Sequence, residues 1–153
     1  MLASFLMGLM GGQRAMTPLA MVAVAAARGE LPADTGAPRI LAHPLVVAGA
    51  LALAAGELAG DKQKTAPDRI VAVGLAARFA TSAIAGMALA PREQRWRAAA
   101  LGGLTAVVAS YPGWRARCAA MGRYGQTPTG FVEDAAVVAG AAAIIHGPAL
   151  AAG

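Results

Sequence analysis

One cysteine, Cys118, occurs in the 153 residues, which excludes an internal disulfide and any metal frame built on thiolates. Cys118 reads as a small apolar helix residue. Charge is equally scarce: Asp, Glu, Lys and Arg make up 14% of the chain and hydrophobic residues 58%, whereas about a quarter of an average soluble domain is charged. With a mean hydropathy of +0.56, the chain is expected to be one integral membrane domain covering residues 1–153. Aromatics are only 5%, and the thirteen Lys and Arg behind the net charge of +5 and the pI near 10.4 are scattered over short loops. Nucleic-acid binding would cluster them and interleave aromatics, so that class is set aside. The two histidines, His43 and His146, have no ligand spacing, and no Ser or Cys has a neighbouring base. No catalytic residue, metal or cofactor is expected.

What the chain does have is long uncharged runs, and these predict an all-α polytopic protein of about five membrane spans. The first covers Met1 to Ala27 and contains Arg14. Gly11-Gly12 and Thr17-Pro18 predict a break there, with Thr17 as N-cap and Pro18 in the first turn of the restarted helix. A secretory signal would carry its positive charge before the apolar run, so the segment is expected to stay in the mature protein. Ile40 to Gly60 forms the second span, with His43 at the interface, and Ile70 to Ala90 the third, with Arg78 in its middle. Ala98 to Trp114 forms the fourth, ending at Tyr111-Pro112-Gly113 and leading into the arginines at 115, 117 and 123. The fifth runs from Gly130 to Ala152 and opens with Glu133-Asp134. Lys and Arg number six in the loops 61–69 and 115–123 and five in 28–39 and 92–97, too even a division to orient the chain.

Charge at membrane depth is costly and marks function or pairing. Glu57 and Asp61 are four residues apart and share a helix face, and Glu133 and Asp134 follow the start of the last span. Each pair has a plainer account as well, as a helix end at the water interface or as carboxylates at the positive end of a helix dipole. The residues expected to form a polar route or a buried ion-pair network are Arg14, Thr17, Glu57, Asp61, Arg78, Arg115, Glu133 and Asp134, with Arg14 and Arg78 paired to Glu57 and Glu133. Gly12-Gln13-Arg14-Ala15 is echoed by Gly113-Trp114-Arg115-Ala116, each followed by a helix with two acids. That echo suggests an inverted repeat of spans 1–2 against spans 4–5, an architecture of small transporters.

Gly12-Gln13-Arg14-Ala15-Met16-Thr17-Pro18, Gly56-Glu57-Leu58-Ala59-Gly60-Asp61-Lys62, Thr65-Ala66-Pro67-Asp68-Arg69 and Glu133-Asp134-Ala135 together resemble the bacterial membrane proteins of the domain of unknown function 4126 family. The resemblance extends over nearly the whole chain. Gln13 and Ala15 stand where that family usually has Leu and Ser, and Gln63-Lys64 where its Pro-rich text follows the lysine. It implies a small multi-span protein of the bacterial inner membrane and carries no established activity. Three functions compete on the residues themselves: a transporter or channel for an ion or small solute, a helical assembly subunit whose charges are structural, and a lipid-acting enzyme. The first is favoured, and the small-residue faces predict a homo-oligomer.

Overall fold

A computed structural model describes residues 1–60, 70–147 and 150. Among them the chain forms six α-helices: α1 (Leu2–Gln13), α2 (Met16–Arg28), α3 (Pro44–Gly60), α4 (Ala72–Ala88), α5 (Arg95–Tyr124) and α6 (Gln126–His146). Two 3-10 turns, Arg39–Ala42 and Arg92–Gln94, complete the regular structure. No strand occurs among the described residues, and Thr35 and Pro91 make one isolated bridge. The all-α expectation holds. Among the described residues one helix, α6, is long and apolar enough to cross a membrane by length and composition, while α2, α3 and α4 are apolar but shorter.

Small residues build the centre of the bundle. A methyl group on Gly8 would lie 2.6 Å from the Gly102 carbonyl oxygen, and one on Gly86 2.6 Å from that of Ala98. The backbones of α1, α4 and α5 therefore approach more closely than a Cβ permits. Ser4 Oγ donates to the Gly86 carbonyl at 2.9 Å, and Gly11 lies against Ser82, so α1 runs antiparallel to α4. Gly8 meets Gly102 and Gly12 meets Ala109, so α1 runs parallel to α5. Asp134 meets Arg14 and Gly140 meets Met10, so α6 returns antiparallel to both.

The first span is broken at the expected place, but its halves do not continue one another. Arg14 leaves the helix in extended conformation (φ −137°, ψ 121°), and α2 turns back beside α1. The chain after α2 shows why. The Thr35 hydroxyl donates to the Ala88 carbonyl, and the Gly36 N–H donates to that of Ala90 at 2.7 Å, so this segment sits at the same end of α4 as Ser4. Six residues separate Arg28 from Thr35, and the seven steps between them reach about 25 Å at most. A collinear α2 would end about 37 Å away, the summed lengths of the two helices. Accordingly Val22, Ala23 and Ala25 share one apolar core with Ala3, Met7, Ala85 and Ala88. The expected crossing segment is thus a helical hairpin with its tip at residues 12–15. Gly29 closes α2 in the left-handed region (φ 70°), its N–H on Ala26 and that of Glu30 on Ala25, the paired bonds of a Schellman cap.

The inverted repeat fails on the same ground. Helix α5 runs unbroken through Pro112 for 30 residues, so among the described residues the echo at 113–116 has no counterpart to the break at the hairpin tip. Helix α3 packs chiefly on α2 and the first 3-10 turn and buries only Ala50 and Ala54, leaving Leu45, Leu51 and Leu53 exposed.

Candidate functional site

The hairpin tip interrupts the helical hydrogen-bond ladder inside the bundle, and the charged side chains collect there. Two kinds of group need partners at such a break: carbonyls at the end of α1 and N–H groups at the start of α2. On the carbonyl side, the Arg14 N–H donates to the Met10 carbonyl at 3.1 Å. Ser110 Oγ reaches the Gly12 carbonyl at 3.3 Å. On the amide side, Ala15 occupies the N-cap position with helical dihedrals and has no side chain to cap with. The capping group comes from α3. Glu57 Oε1 accepts the Ala15 N–H at 2.7 Å, and Oε2 accepts the Met16 N–H at 2.8 Å. A carboxylate on two amides at the positive end of a helix is doubly favoured, by charge-assisted hydrogen bonds and by the dipole.

Arg14, the residue at the break, is 1% exposed. Its Nε donates to Asp134 Oδ1 at 2.7 Å, and its Nη2 lies 2.5 Å from the same oxygen and 3.5 Å from Glu133 Oε2. Glu133 Oε2 also lies 2.5 Å from Arg117 Nη1, so this carboxylate bridges two guanidiniums. Four charges from the hairpin tip, α5 and α6 therefore form one chain of ion pairs. Arg14 finds carboxylates from another helix: Glu133, one of the two acids expected to serve Arg14 and Arg78, and Asp134. Glu57, the other expected acid, holds two amides that the opened backbone presents.

Other expected residues fall into place unevenly. Thr17 is 4% exposed, and its hydroxyl has no hydrogen-bond partner among the described residues. It is not the N-cap, since α2 already begins at Met16. Arg78 is 5% exposed and lies one turn before Ser82 on the same face of α4, which by register sets it level with the hairpin tip. Arg115 points outward and is exposed, whereas Arg117 is buried. Asp61 lies outside the described residues.

Arg117 is the member that a loop reading of 115–123 misses. A signal for it exists: Ala99, Gly102, Ala106, Ser110, Gly113 and Arg117 recur at three- and four-residue spacing, so they share one helix face if the helix continues through Pro112. Arg115 lies off that face.

The depths of these groups agree. Leu2, Pro44, Ala88 and His146 all lie at one end of the bundle. At 1.5 Å per residue, Arg14, Glu57 and Asp134 sit about 18–20 Å from that end and Arg78 about 15 Å. A groove of about 370 Å³ lined by Gln13, Gly113, Arg117, Thr129 and Glu133 opens beside the ion pairs. Gln13 Nε2 donates to the Ala109 carbonyl at 3.3 Å. Among the described residues no three His, Cys, Asp or Glu side chains lie close enough to hold a metal ion. Comparison with protein-family models, curated proteins and solved structures gave no match to this chain.

Proposed function

We propose that this chain is a polytopic protein of the cell membrane that passes ions or small solutes through its polar interior. The observation that carries the reading is the inverted distribution of side chains. Arg14, Arg78, Arg117 and Asp134 are buried, while Phe5, Leu45, Leu53, Val73, Val108, Phe131 and Val132 are exposed. Water would select the opposite arrangement, whereas hydrocarbon around the bundle selects this one. The charged layer at 15–20 Å from one end corresponds to the middle of a hydrocarbon core of about 30 Å. A backbone that turns back at that depth needs protein or a cavity around it, and helix N-termini at such depth hold anionic solute groups in transporters.

The test is flux in proteoliposomes, with a panel of inorganic ions and small organic acids, comparing wild type with Glu57→Gln. The substitution keeps one acceptor oxygen for the α2 amides and removes the charge. Flux above empty vesicles that falls at least tenfold in the variant, with helicity retained, is expected. Wild-type vesicles no leakier than empty ones, or a variant as fast as wild type, would overturn the proposal.

A second reading, a helical assembly subunit, draws on α3. Gly49, Gly56 and Gly60 have open space where a Cβ would go, unlike the packed glycines of α1, α4 and α5. An apolar helix with so little of itself buried suits a second copy of the chain as its neighbour. Crosslinking between copies in native membranes from single cysteines on α3, in a Cys118→Ser background, tests this, and a purely monomeric pattern would refute it.

A further inference from the structure

The start of α2 is occupied by a carboxylate that belongs to the protein, and the arrangement around it describes what else would fit. Glu57 presents its two oxygens to two consecutive amides, one oxygen to each. A planar two-oxygen anion satisfies that geometry and a spherical halide does not. Beside these amides stands a polar group that Glu57 leaves unused. Thr17 lies in the first turn of α2, where Cα–Cβ bonds tilt toward the helix N-terminus, so its side chain leans toward the break. It is 96% buried, since only 4% is exposed, and its hydroxyl has no partner among the described residues. A buried hydroxyl without a hydrogen bond is costly, and an incoming oxygen would supply the bond.

The occupant is held by the least anchored helix. Helix α3 buries two alanines and packs chiefly on α2 and the adjoining 3-10 turn, so Glu57 can withdraw without disturbing the seam of α1, α4 and α5. Charge balance then sets the ligand. Among the described residues the interior layer has three guanidiniums, Arg14, Arg78 and Arg117, and three carboxylates, Glu57, Glu133 and Asp134. Withdrawing Glu57 takes one negative charge from that layer, which a single monoanion restores.

We infer that the α2 N-terminus is a binding site for a small monocarboxylate, which takes the Ala15 and Met16 amides and the Thr17 hydroxyl in place of Glu57. This rests on the transport reading for its purpose, because it names the class of solute carried, but not for its test. The incoming carboxylate makes no covalent bond, and Glu57 is a competitor for the site rather than a reactant.

Chemical rescue tests it on purified full-length protein in detergent. Glu57→Ala empties the site, and acetate is titrated while thermal unfolding is followed, with chloride at equal ionic strength as the control. Acetate is expected to raise the unfolding temperature of Glu57→Ala by about 5 °C or more beyond its effect on wild type, as ligand binding to the native state alone requires. Chloride should not do so. Adding Thr17→Val, which removes the hydroxyl and keeps the shape, should abolish most of the acetate effect. Should Glu57→Ala not accumulate, Glu57→Gln, whose neutral amide is the weaker competitor, takes its place in the same comparison. An equal acetate effect on wild type and variant, a chloride effect as large as that of acetate, or rescue indifferent to Thr17→Val would each overturn the site. Rescue without any flux in vesicles would keep the site and remove transport. Flux without rescue would do the reverse.

Discussion

Asp134→Asn tests the ion-pair chain at its most buried link. The substitution keeps the shape of the side chain and removes the charge that two nitrogens of Arg14 share at 2.7 and 2.5 Å. Arg14 is 1% exposed, so its guanidinium cannot turn to water, and Glu133, at 3.5 Å, is a carboxylate already engaged with Arg117. Breaking a buried pair from one side typically costs about 3–5 kcal/mol, because the other charge remains. For a domain of this size that lowers the unfolding temperature by about 6–20 °C. Removing both charges, in Asp134→Asn with Arg14→Met, leaves nothing stranded, and a coupling of at least about 2 kcal/mol is expected from the cycle. The same cycle between Arg14→Met and Glu57→Gln should show the smaller coupling, since Glu57 holds the Ala15 and Met16 amides. The assay is reversible unfolding in detergent followed by circular dichroism. Additive losses for Arg14 with Asp134, or a larger coupling for Arg14 with Glu57, would refute the pairing.

Three further outcomes follow from the packing. Ser82→Ala removes a fully buried hydroxyl that has no partner among the described residues and should be neutral or stabilising by up to about 1 kcal/mol; Gly11→Ala, whose methyl would overlap Ser82 Oγ, should cost about 1–3 kcal/mol and less in the Ser82→Ala background. Arg115→Ala should change stability by no more than about 0.5 kcal/mol, whereas Arg117→Ala, which strips one guanidinium from Glu133, should cost about 3 kcal/mol or more; equal effects would contradict the burial difference. Gly56→Ala fills open space and should stabilise α3 by about 0.5–1 kcal/mol through helix propensity, while Gly103→Ala, aimed at the Phe79 ring, should destabilise; melting curves of the two variants compared in one detergent decide it.

Much of the helical content was legible because uncharged runs of alanine, leucine and valine between Gly, Pro and charge have few other interpretations. The break at Gly12 to Thr17 was legible too, from Pro18 and the paired glycines. Its geometry was not. Whether a chain continues or doubles back at Arg14 depends on where Thr35 and Gly36 dock, and that is decided by the carbonyls of Ala88 and Ala90 fifty-odd residues later. Arg14, Glu133 and Asp134 were recognisable as interacting charges from their cost at depth, but pairing is a matter of position within the fold. Glu57 was assigned to an arginine because side chains were matched with side chains. The break itself created the stronger partner, two backbone amides that no residue-type pattern displays. At Pro112 the opposite error arose: proline, glycine and tyrosine together signal a stop, yet the helix continues because the proline faces outward and the face that packs is unbroken.

The link between Arg14 and Asp134 joins residues 120 positions apart, and this sets the order in which the molecule can be completed. The hairpin is made before α6, with a charge at its tip and no acid among residues 2–28 to meet it. Asp134 and Glu133, which pair with its arginine, belong to α6. Until α6 is made, α1 and α2 are held by the glycine seam, the apolar core they share with α4 and Glu57, so the hairpin, made before α6, is fully locked only after it. A ribosome-bound chain halted before residue 133 should accordingly leave residues 2–28 open to protease or to a thiol reagent at an engineered cysteine, and release of the full chain should close them.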